Sequence, residues 1–283
     1  MSKIILMAES GSDISEEIAK EYGIVIVPMH VAFGGETRDD GSFPVTQMFD
    51  HYKKTHEPPR TSGCTPIDFE SVFEKLDQEE PDKQILYLAY SAVTTCSMQS
   101  GVIASEGRSD IRIIDTKSVS AGQCAVVLRV ARALKANPDI TMDELEAIAL
   151  EAVDKVRMGF VPGDLDYLRA GGRVSNAAYL GAKILNLHPL IEIQDGKLMS
   201  TKKYRGSMAR VIKQMIKEYP EVNDLEKDEL IGIYGEGLEE SIKREVEETA
   251  KANGFKNVWW VKTGCVIAAH SGPGAFGIVG FTK

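Results

Sequence analysis

Only four cysteines occur in 283 residues, Cys64, Cys96, Cys124 and Cys265, and no two of them form a C-x-x-C pair. That spacing excludes both a cysteine-rich zinc site and a compact disulfide framework. Histidine is almost as sparse, at His30, His51, His56, His188 and His270, and no H-x-x-x-H pair occurs, so no metal site is expected. Long hydrophobic runs are missing too. Nothing approaches the ~20 apolar residues of a membrane helix, and the opening MSKIILMAESGSD turns polar too soon for a signal peptide. Positive charge is in deficit, with 33 Lys and Arg against 42 Asp and Glu and a net charge of −9. A general nucleic-acid binder would need a basic face, so that class is set aside. There is no G-x-x-x-x-G-K-[ST] string, and hence no P-loop for ATP. The expected setting is a reducing cytoplasm, without stable membrane insertion and without a cofactor.

What is present is a chain 43% hydrophobic, long enough for one large domain or two smaller ones. Short apolar runs alternate with helical patterns. KIILMAE (3–9) and IVIVPMHVAF (24–33) read as strands around the helix ISEEIAKEYG, with Ser12 or Asp13 as its N-cap. QILYLAY (84–90) and IRIIDT (111–116) read as further buried strands, each followed by a helical stretch, 95–107 and 119–136. This rhythm predicts a mostly parallel sheet with flanking helices. A second cycle follows the amphipathic segment 142–156: a strand at MGFVP, a glycine-closed helix DLDYLRAGG, and a hairpin turning at Asp195-Gly196. Helices at 207–219 and 239–252 and strands at 229–234, NVWWVKT, CVIAAH and FGIVGF complete it. The expected class is α/β, with an N-terminal domain over 1–157 and a C-terminal domain with a mixed sheet over 158–283.

Near the end, HSGPGAFG (270–277) contains a literal G-x-G-x-x-G. A dinucleotide loop must open a helix and precede an acidic residue roughly 20 positions on. Only IVGFTK follows, so the nucleotide reading fails. What remains is a Gly-Pro-Gly turn between two terminal strands, with His270 at its start. Three hydroxyl-rich segments flank apolar strands: TSGCTP (61–66), SAVTTCS (91–97) and DTKSVSAG (115–122). Each could be a plain helix cap. Clusters at strand ends and helix starts also suit a small anion, because free N–H groups gather there. The competing chemistry is nucleophilic catalysis. Cys64 and Cys96 sit near helix starts, which favour a thiolate, but no serine carries a G-x-S-x-G signature.

In order along the chain, AESGSDI, VPMHVAFGGETRDDGSFPVTQMF, TSGCTPIDF, YSAVTTCSMQSGVIASE, IIDTKSVSAG, LDYLRAGGRVSNAAYLGAKILNLHPLIEIQDGKL, KKYRG and HSGPGAFGI resemble successive motifs of the DegV family. These are fatty-acid-binding proteins that include the FakB subunits of bacterial fatty acid kinase. The resemblance implies two α/β domains with a long-chain fatty acid between them, its chain in an apolar tunnel. By that resemblance the carboxylate meets Thr61, Ser62, Ser91, Thr95 and His270, with Arg205 nearby. Arg169 and Arg173 match the surface implied to dock the catalytic subunit of a fatty acid kinase. The chain would then be a non-catalytic carrier that presents its ligand for acyl phosphate formation. It departs from the family pattern at Gly63, Cys64, Val93 and Cys96, close to the implied head-group site.

The energetics fit a lipid. Each buried CH₂ contributes about 0.8 kcal/mol, so about 14 supply roughly 11 kcal/mol gross, against several kcal/mol of lost ligand freedom. A carboxylate buried without donors would be costly, which the Ser, Thr and His cluster answers. The rival reading is a small acyl-ester hydrolase or transferase with His270 as base. A third is an α/β interaction module with an empty cleft.

Overall fold

The structure, a computed structural model, describes residues 3–172 and 187–283. In chain order the strands are β1 (Ile4–Glu9), β2 (Val25–Val27), β3 (His30–Phe33), β4 (Glu36–Asp39), β5 (Arg60–Ser62), β6 (Gln84–Ala89), β7 (Ile111–Asp115), β8 (Val156–Val161), β9 (Leu187–Gln194), β10 (Lys197–Arg205), β11 (Glu229–Tyr234), β12 (Asn257–Lys262) and β13 (Phe276–Phe281). They form a four-stranded sheet ordered β2-β1-β6-β7, a three-stranded sheet β4-β3-β5, and a six-stranded sheet β10-β9-β8-β13-β11-β12. The first sheet is parallel throughout. The six-stranded sheet is mixed, since β11 runs parallel to β12 and antiparallel to β13. This is the α/β architecture the apolar rhythm predicts, because strands buried on both faces read as continuous apolar runs.

The Ser120–Ala136 helix shows how the halves join. Eleven of its residues are buried, from Ser120 to Ala131, and it packs against β6 and β1 on one side and β8 and β13 on the other. One core cluster accordingly runs from Leu6, Tyr87 and Val126 to Met158, Ile233 and Val279. A second cluster, including Ile212, Tyr219 and Phe276, lies under the Met208–Val222 helix.

Three local expectations are corrected. The run 24–33 is two strands in different sheets, broken at Pro28, which has no N–H to extend a ladder. The first α-helix, Glu16–Tyr22, is capped by Ser15, whose hydroxyl accepts from Ile18 N. Asp13 is instead half-buried, accepting from Gly264 N at 2.7 Å and from the Ser120 hydroxyl. CVIAAH is not a strand: Cys265–Ser271 is a helix that carries His270 in its last turn and ends at Gly272, φ 69°. Its first amides donate to Asp40 Oδ1 from Cys265 N (2.9 Å) and Val266 N (3.2 Å). Carboxylates far upstream thus satisfy N–H groups that a helix start leaves open.

Candidate functional site

A cavity of about 290 Å³ lies between the two halves. Its interior wall is apolar, with Met29, Tyr90 and Val119 from the first half facing Met158, Phe160, Leu198, Ile233 and Phe276 from the second. Met158 and Phe160 reach it together because alternate residues of β8 share one face. Thr61, Ser62, Thr94, Thr95, Cys96 and His270 form one polar cluster on the wall, and Ser120, Thr263 and Ser271 add further polar groups.

The polar cluster is assembled from three elements. Strand β5 brings Thr61 and Ser62, held by pairing with Val31 and His30 of β3. The loop before the Ser97–Ala104 helix brings Thr94, Thr95 and Cys96. The Cys265–Ser271 helix brings His270, whose Nε2 lies 2.8 Å from Thr61 Oγ1. Thr95 Oγ1 lies 3.2 Å from Ser97 Oγ, and Ser97 Oγ accepts from Cys64 N at 3.0 Å. Two glycines permit this crowding. A Cβ on Gly63 would fall 2.3 Å from Thr95 Oγ1, and one on Gly171 would fall 2.1 Å from His270 Nδ1. The departure at Gly63 therefore has a physical role: it lets the β5 segment press onto the 94–97 loop.

Of the residues implied for the head group, the structure brings Thr61, Ser62, Thr95 and His270 together on the cavity wall. Ser91 and Arg205 do not line it. Ser91 is fully buried and its hydroxyl donates to Gly196 O at 2.8 Å, tying the loop to the β9–β10 hairpin. Arg205 is exposed at the end of β10. Arg169 is exposed in the last turn of the Leu165–Ala170 helix, whose Leu168 lines the cavity; Arg173 lies outside the described residues. Cys64 is buried away from the cavity, its thiol directed at Val27 O, and burial with the nearby Glu9 charge pushes its pKa up. That is the reverse of what a thiolate nucleophile needs. Cys96 alone among the cysteines is exposed.

Sequence reasoning missed the supporting carboxylate. Glu9, fully buried at the end of β1, accepts hydrogen bonds from the Tyr87 hydroxyl, Gln123 Nε2 at 2.7 Å and Tyr90 N at 3.0 Å. Burial raises its pKa, against the lowering effect of those donors. It fixes the end of β6 from which Tyr90 enters the cavity wall. The same holds for Asp13 and Asp40, whose pKa values burial also raises and which anchor the helix carrying His270. Among the described residues no group of three or more metal-ligating side chains is found, and no helix is long and apolar enough to cross a membrane.

Comparison with known proteins agrees with this architecture. A DegV domain-containing protein of Caldanaerobacter subterraneus subsp. tengcongensis is 28% identical over 283 residues, covering 98% of each chain. A solved DegV family protein from Thermus thermophilus, described by its fatty acid binding, superposes with a TM-score of 0.87 at 22% identity, covering 99% of this chain and 100% of that one. The fatty acid kinase B3 protein of Streptococcus pneumoniae, solved loaded with linoleic acid, gives 0.84 at 18% identity with complete coverage of both. The model of the DegV family, described as one of uncharacterised proteins, matches residues 3–283, and the chain belongs to the DegV family.

Proposed function

We propose that this protein binds a long-chain fatty acid in the cavity between its halves and presents the carboxylate to a partner ATP-dependent kinase, which forms the acyl phosphate. The observation that carries the reading is the make-up of the cavity: a largely apolar lining that holds the polar cluster of Thr61, Ser62, Thr95 and His270. An acyl chain gains from the first and its carboxylate needs the second. Structural neighbours described as fatty-acid-binding support it. In this reading residues 1–157 and 158–283 are the two domains, and the exposed Arg169, with Arg173, belongs to the face the kinase meets. In this reading neither Ser91 nor Arg205 touches the carboxylate, and the carrier works in the cytoplasm.

Organic extraction of the purified protein followed by mass spectrometry tests the reading. About one fatty acid per chain is expected, and its absence, together with no binding of added oleate, refutes it.

A second reading draws on the Thr61–His270 hydrogen bond, which places a hydroxyl beside a base. A small acyl ester would then be turned over, and Thr61→Val would abolish turnover. Under the carrier reading a p-nitrophenyl ester is not turned over above the buffer rate.

A further inference from the structure

We propose that a second cleft, on the other side of β8, binds a small zwitterion of the α-amino-acid kind, its ammonium group held by Glu192 and its acid group by Arg157 and the Tyr219 hydroxyl. The cleft has a volume of about 400 Å³, and it exists because a ladder stops early. β8 stays paired with β13 from Val156 to Val161, and β9 stays paired with β10 out to Gln194. Between themselves, however, β8 and β9 pair only at Gly159↔Glu192 and Phe160↔Ile191. Continued register would set Arg157 opposite Gln194; instead the strands part there and both residues line the opening.

The walls carry opposite charges that do not neutralise one another. Arg157 and Glu192 are both half-buried, yet no ion pair joins them. Glu192 makes no side-chain hydrogen bond or ion pair to any described residue. Arg157 is held in place by Nη1, which donates to Asp154 O at 2.7 Å and Val156 O at 2.9 Å. Its remaining guanidinium N–H groups have no partner among the described residues. Between the two stands Tyr219, only 3% exposed. Its ring lies over Gly159, where a Cβ would come within 2.6 Å of it. Its hydroxyl makes no hydrogen bond to a described residue, although Glu192 and Arg157 both act on it electrostatically. The hydroxyl and both half-buried charges open on the cleft with no partner among the described residues, and one ligand bearing both charges engages all three.

The same features exclude other occupants. Lys117, Asp154 and Asp195 line the cleft as well, so a simple anion would face Glu192, Asp154 and Asp195, and a metal ion would face Arg157 and Lys117. The cleft shares Met158 with the acyl cavity, but its polar walls do not suit an acyl chain. The inference therefore stands independently of the fatty-acid reading.

Titration of the full-length protein with the common amino acids, followed by saturation-transfer NMR and thermal unfolding, tests it. At least one is expected to bind with a Kd of about 1 mM or tighter, while acetate and methylamine, each carrying half of the charge pattern, do not. Glu192→Gln weakens binding about ten-fold or more, and so does Tyr219→Phe, which keeps the ring over Gly159 and removes only the hydroxyl. The absence of saturation transfer from every amino acid at about 10 mM overturns the proposal. Binding left unchanged in both variants overturns it as well.

Discussion

At the scale of single residues, His270 and Thr61 share a 2.8 Å hydrogen bond in the polar cluster of the cavity. A hydrogen bond to a charged group is worth about 1.5–3 kcal/mol. His270→Ala is therefore expected to weaken fatty-acid binding roughly 10- to 100-fold, measured by displacement of a fluorescent acyl probe. Gly171→Ala is a sharper test of geometry. Its backbone φ of −75° suits alanine, but the new methyl would drive into the imidazole. Affinity is expected to fall as in His270→Ala, with the helix content by circular dichroism preserved; wild-type affinity would show that the imidazole has room to move. The candidacy of Thr61, Ser62, Thr95 and His270, which share the cavity wall, was legible because hydroxyls and a histidine stand out beside apolar runs. Gly63 and Gly171 were not legible, since the need for a missing Cβ arises from atoms distant in sequence.

At the scale of elements, the small β4-β3-β5 sheet positions the strand that carries Thr61 and Ser62, and His30 clamps it. Its Nδ1 lies 2.9 Å from Asp39 Oδ1 and its Nε2 lies 2.9 Å from Asp68 Oδ2. Both nitrogens can donate only in the imidazolium. Burial opposes that charge, but the Asp68 and Asp39 carboxylates outweigh it and raise the pKa above the ordinary histidine value. The clamp then contributes in full below the unfolded pKa of about 6.5 and fades as pH climbs through the raised folded value. The difference in unfolding temperature between wild type and His30→Gln is expected to be greatest near pH 6 and to shrink in alkaline buffer. A difference that widens with rising pH contradicts the clamp. Neither this sheet nor the Val45–Thr55 helix was visible in the sequence: strands of three or four residues have no period long enough to read. CVIAAH misled for a related reason. Its helical state depends on Asp13 and Asp40, some 250 and 225 positions upstream.

At the scale of the whole molecule, the cavity is a seam. Its lining comes from both sides of residue 157, and the main core cluster is continuous across it. The halves are therefore expected to unfold together. Trp259 and Trp260, both in the second half, should report the same midpoint by fluorescence as far-UV circular dichroism reports for the entire chain. Two separate midpoints would show that each half unfolds alone. A fatty acid bound across the seam, as the carrier reading requires, would stabilise the folded state by about 2.7 kcal/mol at a free concentration one hundred times its Kd. Removing the lipid should then lower the unfolding temperature by several degrees, and adding it back should restore it.

The sequence by itself determined the α/β rhythm, the β9–β10 hairpin at Asp195-Gly196 and the family. Each rests on local pattern: burial on both strand faces, a turn with positive φ at residues 195 and 196, and motifs in fixed order. Only the tertiary structure decided which hydroxyls share a wall with His270, that Ser91 is spent on Gly196, and that β8 and β9 part to open a polar cleft. Those outcomes depend on distances between segments far apart in the chain. Such distances are set by the packing of the Ser120–Ala136 helix between the sheets, and no local pattern encodes them.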